Sequence, residues 1–299
     1  MQGSEMRQDI DADNKDIPKK RSLIREMVGR FFRNKAAIIG FIILAALIIM
    51  CLLAPLLAPY DYNEQNVEAK FQKPNARHIL GTDNLGRDIF SRLLYGGRIS
   101  LWVGFAATGI STVLGVIIGL IAGYYSGKVD NVIMRILDVF ISIPPILLAV
   151  IIASVLGTGI NSAIFAVGIA STPFIARLTR APVLQIKNEE YIEASRAIDA
   201  TDFRIMIIHL LPNVLSPIIV QITIGVGTSI LAAAGLSFLG LGVQPPYPEW
   251  GAMISASRTA IMDYPHMVTA PGVAIMLIVI ALNLFGDGLR DLLDPRLRV

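Results

Sequence analysis

Few side chains in this sequence have the types and spacing that catalysis or metal binding requires. The three histidines, His78, His209 and His266, lie far apart, and neither HExxH nor a comparable ligand spacing is present. The single cysteine, Cys51, lies in an apolar run, so the chain can form neither an internal disulfide nor a thiolate metal cluster. We therefore expect no catalytic residue, no metal site and no cofactor on this chain.

A phosphate-binding loop is also missing. The nearest match, Gly123 to Lys128, has three residues between Gly123 and Gly127 where the motif needs four, and Val129 follows the lysine in place of Ser or Thr. Any nucleotide hydrolysis linked to this protein must therefore take place on another chain.

Ionisable residues at membrane depth are scarce. Arg135 and Asp138 are three residues apart within an apolar stretch, a spacing that predicts an ion pair on one helix face. A buried proton relay is the functional alternative, but it needs more carboxylates near the middle of the membrane. The same scarcity disfavours a secondary transporter or a membrane enzyme that works alone.

The most informative polar stretch runs from Lys187 to Pro212. Its first part has the period of a short amphipathic helix, with one face made of Glu189, Glu193 and Arg196 and the other of Tyr191, Ala194 and Ile198. Thr201 is a suitable N-cap for a second helix that leads into Pro212. The pattern predicts two short helices that meet near residues 199–201.

The composition indicates where these segments must be held. Of the 299 residues, 54% are apolar and only 16% are charged, with a mean hydropathy of +0.62. Soluble domains carry about 25% charged residues, so this composition favours an all-α polytopic membrane protein and excludes disorder for most of the chain.

Charge-free runs predict six transmembrane helices. Pro144-Pro145 should break the third span, and Gly115, Gly119 and Gly123 share one face of the second, where they favour close helix packing. The predicted spans are about 36–57, 99–124, 132–156, 161–179, 213–235 and 264–286.

Lys and Arg residues predict the orientation. Nineteen lie in the tail and in the segments on its side of the membrane, and seven lie on the other side. The positive-inside rule then places both termini in the cytoplasm. We expect a cytoplasmic tail, 1–34, containing an amphipathic helix, and a transmembrane domain, 35–299, with a cytoplasmic loop at 180–212.

The cytoplasmic loop resembles the coupling loop of the permeases of ATP-binding-cassette (ABC) importers. That family has Glu-Ala-Ala, then Gly, then Ile-x-Leu-Pro at set distances. Here Glu193-Ala194-Ser195 begins the motif and Leu211-Pro212 ends it. Asp199 stands at the family glycine, which permits a sharp turn with positive φ, and His209 stands at the isoleucine.

Further motifs are similar to the second permease, of the oligopeptide permease C type, in the dipeptide, oligopeptide and nickel group. They follow in the same order over about residues 30–299, and are Leu80–Asp88, Tyr95–Leu101, Phe238–Pro246, Glu249–Gly251, Gly286–Asp291 and Leu293–Arg296.

This resemblance implies a methionine-permease-like fold and the import of di- or oligopeptides across the cytoplasmic (inner) membrane, with nickel or a metal chelate as the alternative cargo. The implied partners are a second six-span permease, two cytoplasmic ATPase subunits that bind ATP and Mg, an extracytoplasmic peptide-binding protein and the lipid bilayer, but no nucleic acid. No substrate-binding residue is predicted. The implied ATPase-coupling residues are Tyr191, Glu193, Ala194, Ser195, Arg196, Ala197, Asp199, Ala200, Thr201, Leu211 and Pro212.

Three expectations concern the opposite side of the membrane. An apolar face formed by Ile89, Phe90, Leu93 and Leu94 lies opposite Arg87, Asp88 and Arg92, and Gly96-Gly97 ends the pattern. This predicts a short helix on the outer membrane surface. Asp83 and Asn84 are expected to be scaffold rather than ligands, because the calcium-loop spacing is missing. Trp250 is expected to anchor the chain at the membrane interface.

Overall fold

The computed structural model describes residues 34–293, and this part of the chain is largely helical. The predicted helix of the N-terminal tail lies outside the described residues. The α-helices are α1 (Lys35–Leu52), α2 (Ala54–Leu57), α3 (Ile89–Tyr125), α4 (Gly127–Ile141), α5 (Pro145–Leu156), α6 (Ile160–Ile186), α7 (Glu190–Ala197), α8 (Asp202–Arg204), α9 (Leu211–Phe238), α10 (Trp250–Ser257) and α11 (His266–Leu293). A π-helical turn, Ile205–Leu210, joins α8 to α9.

Five helical stretches are long and apolar enough to cross a membrane. They are α1, α3, α6, the continuous stretch Asp202–Phe238 (α8, the π-helical turn and α9) and α11. The pair α4 and α5, bent by 89° at the break between them, passes the same test together and gives a sixth if the two count as one span. The bend falls where Pro144-Pro145 predicts a break, and α5 begins at Pro145 because a proline in the first turn has no N–H that needs a partner.

The two ends of the bundle carry different structures. At one end, the loop end, Asn34 at the start of α1 donates to Asp291 (3.0 Å) and Ser216 donates to the Leu293 carbonyl (2.9 Å). Residues 187–211 lie at this end too. At the opposite end, the far end, segments 53–88 and 239–265 pack together, and the indole N–H of Trp250 donates to the Leu93 carbonyl at 2.9 Å.

Helices α3 and α6 pack with little space between them. A Cβ atom at Gly115 would lie 2.5 Å from Ile175 Cβ, and one at Gly119 would lie 2.5 Å from the Ala176 carbonyl oxygen. Gly123 makes the same kind of contact with Val183. The close packing predicted for this glycine face is therefore present, with α6 as its partner.

Helix α3 is longer than the sequence pattern indicates. It begins at Ile89, where the Asp88 carboxylate accepts from the Ser91 N–H at 2.7 Å, and it runs through Gly96 and Gly97 without a break. The expected separate surface helix is therefore not formed. The two glycines serve a packing role instead, since a Cβ at Gly97 would lie 2.2 Å from Cys51 Sγ and 2.8 Å from the Trp250 ring.

The motif at Thr82–Asp88 forms a compact buried turn at the far end. Arg87 Nε donates to the Asp83 carboxylate at 2.7 Å, and His78 Nδ1 lies 2.9 Å from Asp88 Oδ1. Because these carboxylates are satisfied by a guanidinium, an imidazole and backbone N–H groups, the turn is scaffold, as expected.

Trp250 is not an interface anchor. Its side chain is 1% exposed and packs against Gly97, and its backbone N–H is held by Ser100 Oγ at 3.2 Å. The preceding Glu249 is also buried, and it caps α10 by accepting from the N–H groups of Gly251 and Ala252. Indole and carboxylate together lock α10 against α3, a role that hydropathy alone does not reveal.

The ion pair expected between Arg135 and Asp138 is not formed. Asp138 pairs instead with Arg177 of α6, while Asp130 pairs with Arg180, one turn further along the same helix. Arg135 lies on the exposed side of α4. Helix α6 thus supplies both partners, because α4 packs with its acidic face towards it.

Candidate coupling site

Helix α7 is anchored by two residues one turn apart. Ile192 is fully buried, in a cluster that includes Val183, Ile205 and Leu210. Ser195 Oγ donates to the Tyr191 carbonyl at 2.7 Å and lies 3.5 Å from His209 Nε2. His209 stands where the family has isoleucine. Its imidazole therefore adds a polar contact between α7 and the π-helical turn.

The rest of α7 points away from the bundle. Both faces predicted from the sequence are exposed, the charged one with Glu193 and Arg196 and the apolar one with Tyr191 (43% exposed) and Ile198 (81%). Phe203 in α8 is also 71% exposed. The loop end therefore presents large apolar side chains beside charged ones, a combination typical of protein interfaces.

The turn after α7 is a Schellman motif. The N–H of Asp199 donates to the Arg196 carbonyl at 3.0 Å, and the N–H of Ala200 donates to the Ser195 carbonyl at 3.1 Å. Asp199 has φ = +61°, so the positive φ expected at this position is present. This geometry explains why a glycine suits the position, because glycine adopts it without steric cost.

The second short helix begins where the sequence indicates. Thr201 accepts from the Arg204 N–H at 3.4 Å and caps α8. The chain then continues through the π-helical turn, in which the Leu211 N–H donates to the Met206 carbonyl five residues earlier. Pro212 lies in the first turn of α9, where it needs no donor.

The end of α3 holds both short helices. The hydroxyls of Tyr124 and Tyr125 donate to the two oxygens of Asp202, at 2.6 and 3.1 Å. The guanidinium carbon of Arg196 lies 5.3 Å from the centre of the Tyr124 ring. We refer to Tyr124, Tyr125 and Asp202 as the tyrosine clamp, because they tie α8 to a membrane-spanning helix.

Most sequence-predicted site residues lie on one continuous segment. Of the predicted coupling residues, Ser195 is buried, and Ala200 and Leu211 are half-buried. The others are exposed: Tyr191, Glu193, Ala194, Arg196, Ala197, Asp199, Thr201 and Pro212. The sequence motif does not include Phe203, Ile192 or the tyrosine clamp. The spacing of Ile192 and Ser195, three residues apart, was the available signal for the anchored face.

A bundle of five membrane-length helices and one bent pair, with a capped, exposed pair of short helices at one end, is the architecture of a polytopic membrane protein. Residues 115–299 match the family described as binding-protein-dependent transport system inner membrane component. Residues 22–74 match the N-terminal transmembrane domain of oligopeptide transport permease C. The chain belongs to this family of ABC importer permeases, in its dipeptide and oligopeptide group.

Curated relatives align over most of the chain. The dipeptide transport system permease protein DppC of Alkalihalophilus pseudofirmus is 47% identical over 92% of this chain and 90% of its own length. The di/tripeptide transport system permease protein DppC of Pseudomonas aeruginosa is 43% identical, covering 93% of both chains. The glutathione transport system permease protein GsiD of Escherichia coli is 46% identical over 90% of this chain and 89% of its own length.

A solved structure shares the fold. An inward-facing structure of the MetNI methionine ABC transporter aligns with a TM-score of 0.58 and 23% identity, covering 69% of this chain and 98% of that one. This agrees with the methionine-permease-like fold expected from the motifs.

Proposed function

We propose that this chain is the membrane permease subunit of an ATP-driven importer of dipeptides and short oligopeptides. The observation that carries the proposal is the exposed surface of α7, the Asp199 turn and α8, on a chain 42–47% identical to dipeptide transport permeases. The subunit is non-catalytic. ATP and Mg bind to two partner ATPase subunits, and no cofactor is needed on this chain.

In this proposal the loop end faces the cytoplasm. The bias of nineteen Lys and Arg residues against seven supports this orientation. The far end then faces a peptide-binding protein outside the cytoplasmic membrane. The second half of the path is formed by another six-span permease, which makes a heterodimer with this chain.

Coupling works through the exposed surface of α7 and α8. Tyr191, Ile198 and Phe203 enter an apolar groove of an ATPase subunit, and Glu193 pairs with a cation at its rim. Closure of the two ATPases on ATP moves this segment, and the anchored face at Ile192 transfers the movement to α6 and α9. The two permeases then rock between outward-facing and inward-facing states.

Replacement of Glu193 by Arg tests this assignment. The charge reversal lies on an exposed face, so the chain should insert normally but lose ATPase subunits on purification and lose peptide-stimulated ATP hydrolysis. The matched control is Glu64→Arg, the same reversal at an exposed far-end position, which should retain the ATPases. Normal peptide-stimulated hydrolysis in the Glu193→Arg complex would remove this residue from the coupling site.

The relatives also bear on the cargo. Dipeptide, di/tripeptide and glutathione permeases are all peptide transporters by name, and these names favour a peptide over nickel. Competition between unlabelled dipeptides and radioactive nickel for uptake separates the two cargoes. If the chain were instead an ATP-independent secondary transporter, the purified chain alone would carry out uptake without the ATPases.

A further inference from the structure

Two ion pairs join α4 to α6, and they differ in exposure. In the pair nearer the loop end, the Arg180 and Asp130 side chains are 30% and 10% exposed, and the guanidinium meets both carboxylate oxygens. In the other pair, Arg177 and Asp138 are 46% and 44% exposed. The first pair is held inside the chain, whereas the second faces outwards.

The outward-facing pair lies towards the loop end of α6, near the end of the predicted span 161–179. Arg177 precedes the last residue of this helix by nine positions, which corresponds to about 14 Å along the axis. Arginine and aspartate side chains within membrane-spanning helices are rare and almost always face the bundle interior or water, because desolvation of a charge is costly. The pair therefore favours an arrangement in which this face of α4 and α6 borders water or another protein.

Arg177 also lines a cavity at the bend between α4 and α5. The cavity has a volume of about 470 Å³, within the usual range for small-ligand sites. Its walls are mostly apolar and include Phe140, Ile143, Pro145 and Phe174. Such walls accept side chains of many kinds. Arg177 places a cation in the lining, and its partner Asp138, which is not part of the lining, places an anion beside it.

We infer that Arg177 and Asp138 bind the free termini of the transported peptide, the carboxylate at Arg177 and the ammonium at Asp138. This inference rests on the proposed function, and it places the cavity at the bend on the translocation path. A guanidinium matches a carboxylate in a bidentate geometry, and a carboxylate accepts from an ammonium. An ion pair this exposed contributes little to stability, so the peptide can replace it with little loss.

Cysteine labelling tests whether water and peptide reach this cavity. Phe174 is 58% exposed, and the native Cys51 is buried, so Phe174→Cys introduces an accessible thiol into the chain. In the assembled complex in detergent, a charged methanethiosulfonate reagent should modify this thiol, as read by mass spectrometry of this chain. Ile42→Cys on α1, which is 58% exposed at an apolar surface, is the matched control and should stay unmodified in lipid nanodiscs, where Phe174→Cys still reacts.

Protection by peptides tests the ligand. An unmodified dipeptide should slow the labelling of Phe174→Cys about tenfold, and its C-terminal amide and N-acetyl derivatives should protect less. Added to this background, Arg177→Gln should abolish the difference between acid and amide, and Asp138→Asn the difference between free and acetylated amine. Arg180→Gln should reduce the thermal stability of the complex yet keep both differences.

Two results would overturn the inference: no labelling of Phe174→Cys in nanodiscs, or equal protection by blocked and free peptides. ATP-dependent uptake of the same dipeptide is measured in parallel with the wild-type complex. Uptake without protection contradicts only the terminus site, whereas absence of uptake contradicts the proposed function itself.

Discussion

Asp199 occupies a backbone position in the turn after α7 that favours glycine. The Schellman turn needs a left-handed residue after α7, and an L-residue with a Cβ atom pays a steric cost there of about 1 kcal/mol. Aspartate tolerates this conformation better than most residues. The turn is therefore formed, at some cost to its stability.

Replacing Asp199 by Gly should relieve this cost. We expect the melting temperature of the complex to stay equal or rise, with a gain of about 0.5–1 kcal/mol in the turn, and the ATPases to remain bound. Ala200→Gly, one residue later and without a positive φ, should give no such gain. A large loss of bound ATPases from Asp199→Gly would instead show that the carboxylate makes a contact of its own with a partner.

At the scale of helices, α3 and α6 can pack closely because α3 has glycines at the contact. Gly119→Ala should destabilise the protein by about 1–3 kcal/mol, because the new Cβ would lie 2.5 Å from the Ala176 carbonyl oxygen. Gly109→Ala in the same helix has no atom within 4 Å and should be neutral or slightly stabilising. Thermal unfolding in detergent measures both, and equal melting temperatures would contradict this account of the interface.

The tyrosine clamp connects α3 and α8, two elements that move together in the proposed coupling mechanism. Tyr124→Phe and Tyr125→Phe remove the hydroxyls that bind Asp202, each at a cost of about 1–2 kcal/mol, without changing the rings. We expect the double variant to assemble normally but to transport fewer peptides per ATP hydrolysed. Tyr95→Phe, at the far end, is the control and should keep the wild-type ratio, and an unchanged ratio in the double variant would remove the clamp from the coupling path.

At the scale of the whole molecule, both described termini lie at the loop end, since Asn34 contacts Asp291. A reporter at the C-terminus should therefore behave as cytoplasmic: green fluorescent protein should fluoresce and alkaline phosphatase should be inactive. The same reporters inserted between Glu64 and Gln65, in an exposed far-end segment, should give the reverse result. Active phosphatase at the C-terminus would invert the proposed topology.

The sequence by itself determined the features that depend on near neighbours in the chain. Hydropathy located helices long and apolar enough to span a membrane, because it sums side chains that are close in sequence. Pro144-Pro145 located the bend and Thr201 located a helix start, because each acts on the backbone next to it. The motif around Glu193 and Leu211-Pro212 identified the family for the same reason, since fixed spacing along the chain is visible without a fold.

Only the tertiary structure decided which segments meet. Trp250 is buried because α3 carries glycines at the point where α10 crosses it, and Asp138 pairs with Arg177 rather than Arg135 because α4 packs on α6. Likewise, Ile192 rather than Tyr191 is buried, since α9 and the π-helical turn lie on that side of α7. Contacts between residues far apart in sequence follow from helix packing, and the periodicity of one helix carries no information about its neighbours.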